Sequence, residues 1–133
     1  MKTFEGIRIA LFTMFKAAHE GLFPSVPINF PYYSVIDAEK LSGAFVSVQL
    51  VYKLGVEVLD TAASDDIVRG ELLVSYLYPS GTGLNSSFTY SDMLRDNFSN
   101  CKVQDVTFFE MKVLDVSPAP GIVGQMNVLP FMI

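Results

Sequence analysis

Charge is scarce in this chain. Asp, Glu, Lys and Arg make up 17 % of its residues, against about 25 % in an average soluble domain. Half of the residues are apolar, so the chain is not disordered, a state that needs low hydrophobicity and abundant charge. Cysteine occurs once, as Cys101, and histidine once, as His19. A lone Cys excludes an internal disulfide and offers no metal-ligand spacing; Cys101 reads as a small residue beside a strand. A lone His leaves a histidine metal site or a Ser–His–Asp triad short of material. His19 falls at the end of a helical stretch, where a partial positive charge suits the helix dipole. No two basic residues are adjacent, and the net charge is -5 with a pI near 4.6. That balance disfavours a clamp for nucleic-acid phosphates.

Long hydrophobic runs are missing as well, since nothing approaches the ~20 apolar residues of a membrane span. Residues 9–15 resemble the apolar core of a signal peptide, but Glu5 stands where positive charge belongs and Lys16 ends the run. The sequence therefore reads as a soluble, intracellular product. A length of 133 residues suits one domain, 1–133, around a single core. The surplus of apolar surface implies burial against another subunit.

Apolar residues at Phe4, Ile7, Leu11, Met14, Phe15 and Ala18 predict a helix over 3–20, with Thr3 as its cap and Gly21 at its left-handed end. Ile9 and Phe12 fall off that stripe. Pro24, Pro27 and Pro31 impose an extended connector in which residues 28–30 pair briefly at a sheet edge. The period then changes to two over 44–59 and again over 67–78, which predicts two long strands joined by a polar turn. Both faces around Leu72, Leu73 and Val74 are apolar, as in a central strand. The resulting hairpin extends past the core. Leu84, Phe88, Ser91, Leu94 and Phe98 predict a second amphipathic helix, and strands follow over 102–107, 108–117 and 124–132. Residues 118–121 make the last turn, and Pro130, which has no N–H, places the final strand at an edge or at a bulge. The order predicts an α+β domain: an antiparallel or mixed sheet with a long hairpin and two helices packed on one face. Phe4, Ile7, Leu11, Phe88, Leu94 and Phe98 are assigned to the core.

No constellation carries chemistry. The turn over 80–83 lies where phosphate loops occur but lacks their Gly-Lys-Ser/Thr ending. Asp60, Asp65 and Asp66 do not follow the calcium-loop pattern and read as a solvated turn. Asp92, Arg95 and Asp96 read as an exposed helix face. Neither cofactor, metal nor catalytic residue is expected. The long hairpin holds the candidate interface: Tyr52, Leu54, Val56 and Val58 as apolar contacts, with Asp60, Asp65, Asp66 and Arg69 setting register at the rim.

Three strings carry a likeness: the opening residues 4–8 (Phe-Glu-Gly-Ile-Arg), the strand and turn over 69–83, and the closing residues 124–131 (Gly-Gln-Met-Asn-Val-Leu-Pro-Phe). In these, and in its order of elements, the chain resembles tail terminator (tail completion) proteins of long-tailed bacteriophages over nearly its whole length. The resemblance implies a non-enzymatic virion protein that forms a homo-oligomeric ring, six-membered in the family. It would sit on the head-proximal end of the tail after assembly in the host cytoplasm. Such a ring stops polymerisation of the tail tube protein and docks to the neck or head connector protein. DNA passes through its lumen without specific binding, and no membrane is involved. Another neck, minor tail or head-completion protein is the alternative, followed by a small ligand-binding domain or enzyme.

Overall fold

The computed structural model describes residues 3–29, 43–53 and 68–133. Thr3 opens the first helix, α1 (Phe4–Leu22), by accepting the Gly6 N–H on its hydroxyl at 3.0 Å. The helix buries Ile7, Leu11, Phe12, Phe15 and His19. It runs through Gly21 and ends at Phe23, whose N–H donates to the His19 carbonyl, so Gly21 is a helical residue and not the left-handed cap. Phe12 belongs to the buried stripe, whereas Phe4, assigned to the core from its spacing, is 51 % exposed.

Strand β1 (Ile28–Asn29) lies parallel beside β2 (Phe45–Tyr52). β2 pairs antiparallel with β3 (Arg69–Pro79) in the register Phe45↔Leu77 to Tyr52↔Gly70, so the predicted hairpin pairing is present. Its extension over 54–67 lies outside the described residues. Helix α2 (Leu84–Phe98) follows a turn closed by Thr82, whose N–H and hydroxyl both donate to the Pro79 carbonyl. The last strands are β4 (Lys102–Val103), β5 (Val106–Phe108), β6 (Lys112–Ala119) and β7 (Ile122–Met132). The predicted strand over 102–107 is in fact a tight hairpin turning at Gln104, which adopts a φ of 53°. The predicted strand over 108–117 divides between β5 and β6.

The sheet order is β1-β2-β3-β7-β5-β4, with β6 also on β7. β3 is central, as expected, but so is β7, which pairs with β3 along one side and with β6 and then β5 along the other. Pro130 is tolerated there for a local reason. Its carbonyl accepts the Phe109 N–H at 2.9 Å, so its missing N–H would point to that same side of an antiparallel strand. On that side, pairing with β6 stops at Val128 and pairing with β5 starts at Phe131. The absent donor falls in the gap.

Both helices pack on one face of the sheet. Val46, Val48, Leu50, Leu72, Val74, Tyr76, Leu129 and Phe131 meet Leu11, Phe15, Tyr90, Met93, Leu94 and Phe98 in one buried cluster. α2 turns a different side inward from the one its large residues suggest. It buries Ser87, Tyr90, Ser91, Leu94 and Phe98, leaving Leu84 and Phe88 outside, with Phe88 49 % exposed. Two small serines let this side approach the strands, and each hydroxyl is satisfied: Ser87 donates to the Leu84 carbonyl and Ser91 to Gln125 Oε1.

Glycine is required where β7 crosses β3. A Cβ on Gly124 would stand 2.1 Å from the Tyr76 carbonyl oxygen, whereas one on Gly21 would meet nothing. Gly124→Ala is expected to cost about 1–3 kcal/mol by overpacking. Gly21→Ala, in the last turn of α1, should instead stabilise by up to about 1 kcal/mol. Urea unfolding of the two variants checks both signs.

Candidate functional site

The candidate interface is described at Tyr52 and Arg69; Leu54, Val56, Val58, Asp60, Asp65 and Asp66 lie outside the described residues. Tyr52 stands opposite Gly70 and Arg69 opposite Met132, so both mark the same end of the sheet. Arg69 is exposed. Tyr52 is half-buried and tied to α1: its ring lies 4.8 Å from that of Phe4, and its hydroxyl donates to the Phe4 carbonyl at 2.6 Å. A shallow cleft between Glu5, Arg8 and Leu50 adjoins this contact. Arg8 is ion-paired with Glu5, and the guanidinium holds the Glu5 carboxyl below the usual carboxylate range. Lys53 pairs with Glu71 across the same end at 3.5 Å. Gly70 is needed here because a Cβ would meet the Val51 carbonyl oxygen at 2.5 Å and the Phe131 ring at 2.8 Å.

His19 lies in the last turn of α1, as expected, but it is not the dipole-stabilised partial cation read from its position. It is 1 % exposed and lodged between α1, α2 and the connector. Its Nε2 lies 2.8 Å from the Val26 carbonyl oxygen and its Nδ1 2.7 Å from the Tyr90 hydroxyl. A carbonyl only accepts, so Nε2 carries a hydrogen; because burial disfavours the charged ring, Nδ1 accepts the Tyr90 O–H. Burial pushes His19 below the ordinary histidine range and raises the phenols of Tyr76 and Tyr90. Asp92, on the exposed helix face, is paired with Arg95 at 2.7 Å. Among the described residues no group of three His, Cys, Asp or Glu stands close enough to hold a metal ion. An open groove of about 510 Å³ between α1 and the β4–β5 turn is lined by Ala10, Thr13, Ala17, Asn97 and Val103. None of its lining residues is titratable.

The feature that the sequence reading missed is the outer side of β6. It pairs with β7 alone, and no strand covers its far edge among the described residues. Over Lys112–Val116 the pairing is regular, and the register shift comes only between Val116 and Ala119. Alternation sends Val113 and Leu114 to opposite faces of the sheet, yet they are 45 % and 50 % exposed. Two consecutive apolar residues exposed on both faces of an edge strand make a template for pairing with another chain. The available signal was local: Val113 and Leu114 sit between Lys112 and Asp115, a short apolar pair at a charged border.

The clasp around His19 has a measurable weight. Tyr90→Phe removes the donor to a buried ring nitrogen and should cost about 1–3 kcal/mol. Tyr52→Phe, at an exposed hydrogen bond, should cost about 0.5–1.5 kcal/mol. Denaturant midpoints of the two variants give the ranking.

No family model matches the chain, and no curated protein matches it significantly. One solved structure, of a protein whose designation states no function, superposes with a TM-score of 0.68 at 12 % identity, over 99 % of this chain and 95 % of that one. The two share a fold. No helix among the described residues is long and apolar enough to cross a membrane.

Proposed function

We propose that this chain is a structural subunit of a phage particle, of the tail terminator type. It forms a closed ring on the head-proximal end of the tail tube, ends tube growth and offers a docking surface to the neck. The observation that carries the assembly part of this reading is the open β6 edge with Val113 and Leu114 exposed. Such an edge is a liability in a monomer and an asset in a subunit. Further support comes from the apolar residues left outside the core, among them Ile9, Leu22, Leu84 and Phe88. The terminator part rests on the resemblance of the opening, middle and closing strings and on the order of elements.

The role is mechanical and recognitive, without turnover. Neighbouring subunits would meet through sheet edges, where backbone pairing fixes register and apolar side chains exclude water. The acidic balance suits a lumen through which DNA slides, because like charges form few phosphate contacts. Residues 54–67 carry Glu57, Asp60, Asp65 and Asp66 and no Lys or Arg. That concentration of charge favours a rim contact whose partner is basic.

The test is the mass of the purified chain, alone and mixed with assembled tail tubes of the same particle. A ring-sized oligomer that binds tube ends is the expected result. Leu114→Lys should dissociate it while leaving the thermal transition of the subunit nearly unchanged, because Leu114 lies outside the core. A strict monomer that ignores tube ends overturns the proposal.

A further inference from the structure

We infer that His19 is a proton-sensitive latch: its neutral ring holds the connector between α1 and β1, and with it the edge strand β1, against the sheet. The inference stands on the interior of the subunit and is independent of the assembly reading.

Both ring nitrogens are engaged, and each engages a different element. Nε2–H donates to the Val26 carbonyl in the connector, and Nδ1 accepts from Tyr90 on α2. The surroundings are aromatic, with ring centres of Phe15 at 5.9 Å, Tyr90 at 5.6 Å and Phe23 at 6.5 Å. Of titratable groups, α2 presents Tyr90, and β3 presents Tyr76, packed on the Tyr90 ring at 5.1 Å. The connector, residues 23–27, and β1 contain none. Glu20 follows on α1 itself, but its side chain is exposed and lies 3.8 Å from Lys16. Among the described residues no carboxylate reaches into the pocket; the exposed Glu20 charge favours an imidazolium, and burial outweighs it. The two phenols stay neutral through the range in which histidine titrates, because burial raises both.

Protonation at Nδ1 reverses the bond to Tyr90, whose phenol oxygen can accept as well as donate, but it places a positive charge among buried rings. Such a charge is costly unless paired. The ring relieves that cost by moving to water, and the Val26 hydrogen bond is then lost as well. What Val26 anchors is slight. β1 has two residues, in register with Val46 and Ser47, and the connector adds one bond, from the Val46 N–H to the Pro27 carbonyl at 2.9 Å. Release of the connector bares the outer edge of β2 at Val46 and Ser47, at the opposite border of the sheet from β6.

The sign follows from linkage. The folded-state pKa is depressed, so the latch stabilises fully above the ordinary histidine value of about 6.5. Its contribution is lost as the pH falls from there through the folded-state pKa.

Amide hydrogen exchange of the full-length chain at pH values from about 7.5 to 5, corrected for intrinsic rates, tests the inference. Protection of the Val46 N–H should fall about tenfold or more toward the acid end, while β3 amides paired with β7 keep theirs. The ¹⁵N shifts of His19 should show hydrogen on Nε2 at pH 7.5 and a midpoint below about 6.5. His19→Gln should make the Val46 protection insensitive to pH. Should that variant fail to fold, Tyr90→Phe serves instead: the neutral ring loses its donor, and the midpoint should rise. Constant Val46 protection in the wild-type chain, parallel loss of protection throughout β3, or an ordinary His19 midpoint each overturns the latch.

Discussion

Everything in this domain hangs on the antiparallel pairing of β3 with β7. The two strands share an unbroken register from Arg69↔Met132 to Pro79↔Ile122, extended by reciprocal hydrogen bonds between Val68 and Ile133. β2 attaches to the free side of β3, and β5 and β6 attach to the free side of β7. Both helices lie on the inward residues of this pair. A register is fixed when one face is buried, because a slip of one residue would turn the entire apolar set outward. Here the inward set alternates cleanly through Leu72, Val74 and Tyr76 on one strand and Leu129 and Phe131 on the other. The close approach at Gly124 and at Gly70 belongs to the same constraint, because each permits a neighbour that any side chain would displace.

Buried polar groups then specify how the helices sit on this spine. Gln125 and Asn127 lie on the inward side of β7, opposite Tyr76 and Val74. Gln125 is reached by Ser91 of α2, and Asn127 donates to the Val74 carbonyl. Tyr90, one residue before Ser91, reaches His19 of α1. A single turn of α2 thus binds the sheet and the other helix. Rotating α2 to bury Phe88 in place of Ser87 and Tyr90 would leave both Gln125 and His19 without these partners. Two unpaired buried groups at about 1–3 kcal/mol each outweigh the roughly 1.5–3 kcal/mol from burying one phenylalanine. Phe88 stays outside for that reason.

This explains which parts of the architecture were legible in the amino-acid sequence. Period-two runs over β2, β3 and β7 and the period of α1 follow from burial of one face, and such patterns are visible without knowledge of the partner. The α+β class, the central place of β3 and the brief edge strand at Ile28 were readable on that basis. The facing of α2 was not, because it is decided by hydrogen bonds to residues far along the chain. The central position of β7 was hidden by Pro130, whose missing donor is harmless only because two short strands meet beside it. His19 looked like a helix-end cation because sequence spacing cannot show that Tyr90 and Val26 converge on it. Of the candidate interface, Tyr52 contacts α1 and Arg69 is exposed near the same end, a distinction that alternation alone did not draw. The β6 edge escaped notice because exposure of Val113 and Leu114 is a property of sheet order.

The spine and the borders of this sheet are suited to different tasks. Along the middle of β3 and β7 the rungs are backed by core on one side, so opening there costs close to the full stability of the fold. At the borders the holding is sparse: β1 has two rungs, and β6 has no outer neighbour among the described residues. A region that must accept a partner or respond to a proton belongs where few contacts resist change. In this chain the strand with the exposed apolar pair and the strand clasped through a buried neutral histidine are both at the margins. The rigid centre keeps the two margins at a fixed distance and orientation, which is what the proposed ring would require of its repeating subunits.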